Sequence, residues 1–453
     1  MLNELFSNIL DKFIANSPVS VMAQGLVENL LNANKLNQWF NENCGTQYTR
    51  DLNFSSVVAV MLEVVCQIRS SIHVSYQKSN HINVSITSLY NKLNGMEPNT
   101  SASLVRDIAL ESSVIIQQMK AENNDWIKGY RIKLLDGNCI EATEHRIKVL
   151  RDTKAGALPG KSLVVFDPKI DLAIDVFPCE DGHAQERSLL SKVLMTMERD
   201  DCWVADRNFC TQHFLFGIHQ KKATFVIRQH EQIPIEILEE KQFIGLTDTG
   251  KVYEQAVSLK SPEGKSYIAR RITVKLNKKT RNGDNDIHIL TNLPIGVADA
   301  RLVAETYRKR WGIETAFQRL EAHFNSEINS LGYPKAALFG FCMALVAFNI
   351  CAIIMASLRA AYPKINIKEE VSEYYISDDI STVNQGMMIA VNNDDWIVFR
   401  DANPAQIALL LIYLARQVDL KKFKKHKRGI KKSKTKIKYD KKTPHVSTFK
   451  MLL

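Results

Sequence analysis

Residues 336–358 run for 23 positions without a charged side chain, between Lys335 and Arg359. No other stretch restricts the fold as much. A segment of that length reaches across a bilayer, or it forms a helix buried on all sides against a central sheet. Asn349 at its middle, the spacing of its Gly and Cys residues, and a mixed polar helix directly before it favour the buried reading. Residues 407–414 are apolar but too short for a second span. The expectation is a chain without a membrane segment, built round one covered helix.

The preceding helix spans 307–321, YRKRWGIETAFQRLE. At about 100° per residue, Tyr307, Arg310, Glu314, Gln318 and Glu321 fall within a stripe of roughly 80°. Ile313, Ala316, Phe317, Leu320 and Phe324 form a separate apolar stripe. One face can pack on a core while its neighbour offers a carboxylate, a guanidinium and a phenol to a cleft. A solvated polar face with an Arg310–Glu314 pair explains the same pattern more blandly. Upstream, two short apolar runs each end in Asp. In YRIKLLDG, Ile132, Leu134 and Asp136 alternate onto one face before a Gly; in CWVADRNF the run ends at Asp206. Either Asp alone reads as a turn former or helix N-cap. Together with a helical Glu they make a set of hard oxygen donors of the kind that holds Mg²⁺ for phosphoryl transfer.

These blocks resemble those of DDE transposases of bacterial insertion sequences, in the group with the Y-R-E-K signature (insertion sequence 4 family). That signature is Tyr, two residues, Arg, three residues, Glu, six residues, Lys. Here it reads Tyr307, Arg310, Glu314 and then Glu321, so the Lys is replaced by an acid. The contexts Asp136-Gly137 and Asp206-Arg207-Asn208-Phe209, and Leu331-Gly332-Tyr333-Pro334 beyond the helix, extend the resemblance over most of the chain. It implies a ribonuclease-H-like core in which Asp136 sits on the first strand, Asp206 beside it on the fourth, and Glu314 on a later helix. These three would be catalytic and would hold two Mg²⁺ ions, for which Mn²⁺ can substitute; Tyr307 and Arg310 would contact DNA. The partners implied are double-stranded DNA, as transposon ends and target, and a second copy in a homodimer on DNA. A non-catalytic DNA-binding relative, or a nuclease that cuts without joining, stays open as an alternative.

At 453 residues the chain is too long for one ordinary core. Its net charge of +10 is unevenly spread: residues 421–442 hold 13 Lys or Arg against Asp440, leaving −2 for everything else. A segment of that composition binds polyanions by counterion release and buries no core of its own, so it is expected to be disordered. The eight Cys show no C-x-x-C spacing, and Cys202, Cys210 and His213 read as reduced thiols near a His rather than a zinc site. The first residues, amphipathic with early acids, resemble no secretory or transit signal, and a bacterial cytoplasmic, nucleoid-associated protein is expected.

The periodicity divides the chain. Residues 1–125 read as an all-helical DNA-binding domain, with helices at 26–39, 54–68 and 101–119 and a helix-turn-helix-like arrangement round the turn at 94–100. Residues 126–228 and 290–362 form the α/β, ribonuclease-H-like catalytic core, with strands at 130–136, 161–166, 172–177, 202–205 and 225–228 and a helix at 184–197. The polar loop before that helix leaves a supporting role near the site open to His183 or Glu186. Residues 229–289 read as a β-rich insertion, 363–420 as a C-terminal region with strand-like runs at 387–391 and 396–399, and 421–453 as the basic tail. Trp311, beside the polar stripe, reads as a packing residue.

Overall fold

A computed structural model describes residues 6–44, 51–79, 82–261, 264–280, 283–426 and 445–453. The uncharged run lies within one helix, Pro334–Ala361, and every residue from 336 to 358 is buried. By length and composition this helix could cross a membrane, but protein covers it completely. The helices Pro18–Leu30, Phe54–Val65, Pro98–Gln118 and Pro404–Ala415 wrap it, and the sheet closes the remaining side. Asn349 makes the contact with the sheet specific. Its amide oxygen accepts from Ala173 N and its amide nitrogen donates to Ala173 O, both at 2.9 Å. The side chain thereby stands in for a missing neighbour strand, beside a register shift in the sheet-edge pairing.

The strands, in chain order, are β1 (Arg131–Cys139), β2 (Ala157–Leu158), β3 (Lys161–Asp167), β4 (Leu172–Cys179), β5 (Asp201–Ala205), β6 (Thr224–Arg228), β7 (Ile235–Ile237), β8 (Gln242–Thr247), β9 (Gly250–Lys260), β10 (Ser266–Leu276), β11 (Asp286–Thr291) and β12 (Val446–Ser447). The main sheet runs β4-β3-β1-β5-β6-β11-β10-β9-β7, with β8 also on β9. β3 is antiparallel to β1 and β4, whereas β5 and β6 run parallel to β1. That five-strand half fits a ribonuclease-H-like core. Side-chain alternation supplies its two faces. Ile132, Leu134, Val164, Phe166, Val204 and Val226 face the core helix and its neighbours. Leu135, Leu163, Val165, Trp203, Ala205, Phe225 and Ile227 face the helices Leu190–Met195 and Gln212–Gln220.

The β-rich residues expected at 229–289 continue the main sheet through the pairing of β11 with β6. Some local expectations differ from the structure. The helix read at 26–39 is two, broken where Asn32 caps Ala33–Asn43 through Lys35 N. The N-terminal helices share one continuous core with the central helix. In particular, Pro98–Gln118 buries Leu104, Val105, Ile108, Ile115 and Ile116 against the rest of the fold. The strand-like runs at 387–391 and 396–399 are helical, within Glu373–Ala390 and Asn393–Arg400; short apolar runs carry too few periods to separate the two states. The basic tail is folded at both ends. Lys424 bridges to Val371, and β12 pairs in parallel with β2; residues 427–444 lie outside the described residues.

Replacing Asn349 by Leu leaves the N–H and C=O of buried Ala173 without those partners. The expected loss is about 3 kcal/mol of unfolding free energy. Denaturant titration measures it, and an unchanged midpoint would show that the amide pairing contributes nothing.

Candidate active site

The polar stripe expected on one helix is divided between two. Ala300–Arg308 ends one residue after Tyr307, and Trp311–His323 begins after Arg310. Between them the backbone tightens: Arg310 N bonds Tyr307 O, Gly312 N bonds Lys309 O, and Ile313 N bonds Arg310 O, each three residues back. Tyr307 therefore closes one helix and Glu314 lies in the first turn of the next.

β1 does not stop at Asp136 but continues through Gly137 to Cys139, with Asp136 paired to Val164 of β3. On the other side, the last parallel pair of β1 with β5 is Leu135 with Ala205, so Asp136 and Asp206 follow it side by side. Each carboxylate is steadied locally by the next residue's amide. Asp136 Oδ1 accepts from Gly137 N at 2.9 Å, and Asp206 Oδ1 accepts from Arg207 N at 2.6 Å as it caps the short turn Arg207–Phe209.

Tyr307 reaches one of the three acids, and Arg310 ties the other two together. Its guanidinium lies 2.8 Å from Glu314 Oε1 and 3.4 Å from Asp136 Oδ2, and only 6% of its side chain is exposed. Tyr307 Oη donates to Asp206 Oδ1 at 3.4 Å. Burial works against the Arg310 charge, but Tyr307 and all three carboxylates outweigh it and raise its pKa. Burial also pushes Asp136 up to about 6; Arg310 and the Gly137 amide pull it back, while the charges of Glu314 and Asp206 add to the rise. Burial pushes the Tyr307 phenol up to about 12, so it stays a donor. Among the described residues no three His, Cys, Asp or Glu side chains are placed to hold one metal ion, and the positive charge at the centre is Arg310. The donor chemistry nevertheless suits a hard divalent cation: all-oxygen carboxylates already drawn round a positive charge.

Glu321 stands where the resemblance would put a Lys, and two cations close to it in sequence are engaged elsewhere. Arg319 is committed to Asp171 and Glu373, and Lys309 lies over the Trp126 ring. Glu321 is exposed and faces another acid, Glu327. His183 is exposed, whereas Glu186 lies against Gly137 and bonds Asn208, both next to or near the candidate aspartates. Cys202 and Cys210 are free, buried thiols. Trp311 is 58% exposed rather than packed, with Arg310 5.4 Å from its ring. Its place directly after Arg310, at a helix start, was the available signal.

Residues 127–350 match the family model described as a transposase DDE domain, and Asp136, Asp206 and Glu314 all fall inside that match. Over 272 aligned residues the chain is 26% identical to the transposase for insertion sequence element IS421 of Escherichia coli, covering 51% of this chain and 67% of that protein. It is equally similar to the InsL protein of insertion sequence element IS186A of Escherichia coli strain K12, with 68% of that protein covered. Fold, site and likeness together support a DDE transposase.

The Glu321 neighbourhood gives a pH test. Glu327 Oε2 accepts from Glu141 N at 3.0 Å. Burial pushes the Glu327 carboxyl from 4.5 up to about 7; the Glu141 amide opposes this, and the charges of Glu141 and Glu321 add to it. The folded chain thus holds this proton more tightly than the unfolded one. Stability from this group is complete below about pH 4.5 and is lost as pH rises through about 7, a change of about 1–2 kcal/mol with solvent screening included. Glu327→Gln should abolish that part of the slope, and Glu321→Lys should shrink it. Denaturant midpoints from pH 4 to 8 decide; slopes identical to wild type would refute the coupling.

Proposed function

We propose that this chain is the transposase of an insertion sequence in the Y-R-E-K signature group. It binds the ends of its element as double-stranded DNA and carries out cleavage and strand transfer into target DNA by in-line phosphoryl transfer. The observation that carries this reading is that Asp136 and Glu314, from a strand and a helix, close on the Arg310 guanidinium while Tyr307, three residues before it, reaches Asp206. These residues would hold two Mg²⁺ ions, with Mn²⁺ as a substitute. When bound, such ions activate the attacking water or 3′-hydroxyl and neutralise the leaving oxygen.

The chain's own residues supply the rest. Gly137 N and Arg207 N fix one oxygen of each aspartate; the other oxygen of Asp136 meets Arg310, while Tyr307 shares the held oxygen of Asp206. Arg310 is the counter-charge of the carboxylates; released from them, its planar fork suits a DNA phosphate. Tyr307, protonated, offers a hydroxyl to the same phosphate or to Asp206. Two ends joined in one event call for a homodimer on DNA, and the +12 segment at 421–442 adds contacts to the backbone without sequence preference. The setting is the bacterial cytoplasm, at the nucleoid. Glu321 in the Lys position and the acids closed round Arg310 favour, as a second reading, a relative that binds DNA without cutting it.

A joining assay with precleaved ends separates transposase, nuclease and binding-only protein. Asp136→Asn, Asp206→Asn and Glu314→Gln should each remove nearly all metal-dependent cleavage, since the three act as a unit, while DNA binding survives. A variant that cleaves at the wild-type rate takes its residue out of the site. Substituting Gln for the Lys residues between 427 and 442 should flatten the salt dependence of DNA binding, leaving the body folded. Binding isotherms across salt concentrations measure this, and an unchanged slope removes the segment from the interface.

A further inference from the structure

On the face of the sheet away from Arg310 lies a carboxylate that the proposed chemistry does not use. Asp136 shares its face with Ile132 and Leu134; Gly137 shares the opposite one with Leu135. Glu186, which opens the turn Glu186–Leu189, sits against that opposite face. A β-carbon at Gly137 would lie 2.1 Å from Glu186 Oε1 and 2.6 Å from its Cδ. Gly137 has no left-handed φ, so what a β-carbon there would meet is the end of the flexible Glu186 side chain, which would have to move aside.

The other oxygen, Oε2, accepts from Asn208 Nδ2 at 2.5 Å. Arg187 holds Asn208 from the far side, donating from Nε to its backbone O at 2.7 Å and to its Oδ1 at 3.3 Å. The side-chain amide of Asn208 is therefore fixed at both ends. Asn208 belongs to the short turn that Asp206 caps. The β1–β5 ladder gives its last pair at Leu135 with Ala205. Beyond that pair no backbone pairing between the two strands sets the spacing of Asp136 from Asp206. The Glu186 bridge begins where the ladder ends.

We propose that Glu186 is a positioning residue of the active centre. Its carboxylate locks the turn carrying Asp206 to the strand carrying Asp136 and so fixes the separation of the two aspartates. This rests on the reading of Asp136, Asp206 and Glu314 as the metal-holding acids. Outer residues that orient such ligands change metal affinity by about 10–100-fold when removed.

The test is Mn²⁺ binding to the full chain without DNA, by calorimetry and by the paramagnetic resonance of free Mn²⁺, with a melting curve for each variant. Glu186→Ala should weaken Mn²⁺ binding about tenfold or more at a near-native melting temperature. Glu186→Gln keeps an oxygen for Asn208 and should recover most of the affinity. Gly137→Ala, which evicts Glu186 from the other side, should cost as much as Glu186→Ala, and the double variant no more than either. Wild-type affinity in Glu186→Ala, with the loss seen in Asp136→Asn, overturns the positioning role alone. Wild-type affinity in Asp136→Asn, or no Mn²⁺ binding by the wild-type chain, overturns the metal reading and this proposal with it. If Glu186→Ala fails to fold, Gly137→Ala decides: wild-type affinity there overturns the role.

Discussion

A helix with no polar face must be covered on every side, and that requirement organises this molecule. Pro334–Ala361 is about 40 Å long and has no charged residue through its middle. Only a shell of elements drawn from both ends of the chain can shield it, which is why helices near residue 20 and near residue 410 share one core. The sheet is the remaining wall, fastened by Asn349 to the edge strand. The Trp311–His323 helix, which carries Glu314, rests on both the sheet and this shell. The placement of the third acid is thus a result of burying an apolar cylinder.

The centre obeys a second constraint. Three carboxylates converging in a partly buried volume repel one another, and desolvation makes each costlier. Arg310 offsets this, but incompletely, since burial still holds Asp136 well above the ordinary carboxylate range. Its own Nε finds no partner among the described residues. The guanidinium is therefore held through its two terminal nitrogens, by Asp136 and Glu314. Such an arrangement yields to a stronger cation more readily than a fully hydrogen-bonded one.

Much of this was legible in the sequence. The five strands of the catalytic half lie close to where alternation put them, although β1 runs on past Asp136 to Cys139. The failures have physical causes. Periodicity at 307–321 could not reveal a tightened turn, because a single turn of three-residue-back bonds is shorter than the pattern that periodicity reads. The run at 387–391 is too short for its period to be read, and the helix it belongs to buries only Ile376 and Met387. A Gly/Pro turn between helices looks alike in a recognition motif and a core bundle, so the residues alone left both readings open. The polar loop pointed to His183 or Glu186 without choosing between them, since what distinguishes Glu186 is its contact with Gly137, 49 positions earlier.

The pairing of β12 with β2 changes the polymer physics of the basic run. A free tail samples a volume that grows with its length and spends most of its time far from any one site. Here the chain is tied down at Lys425, whose N–H bonds Glu370 O, and again at Val446, whose N–H bonds Gly156 O. Lys450 pairs with Asp181, in the loop leading to Glu186, and reinforces the second tie. Both ends of the intervening segment are thus held on the body, and the two ties limit its reach. Cutting the chain anywhere between them would leave every charge in place and abolish that confinement.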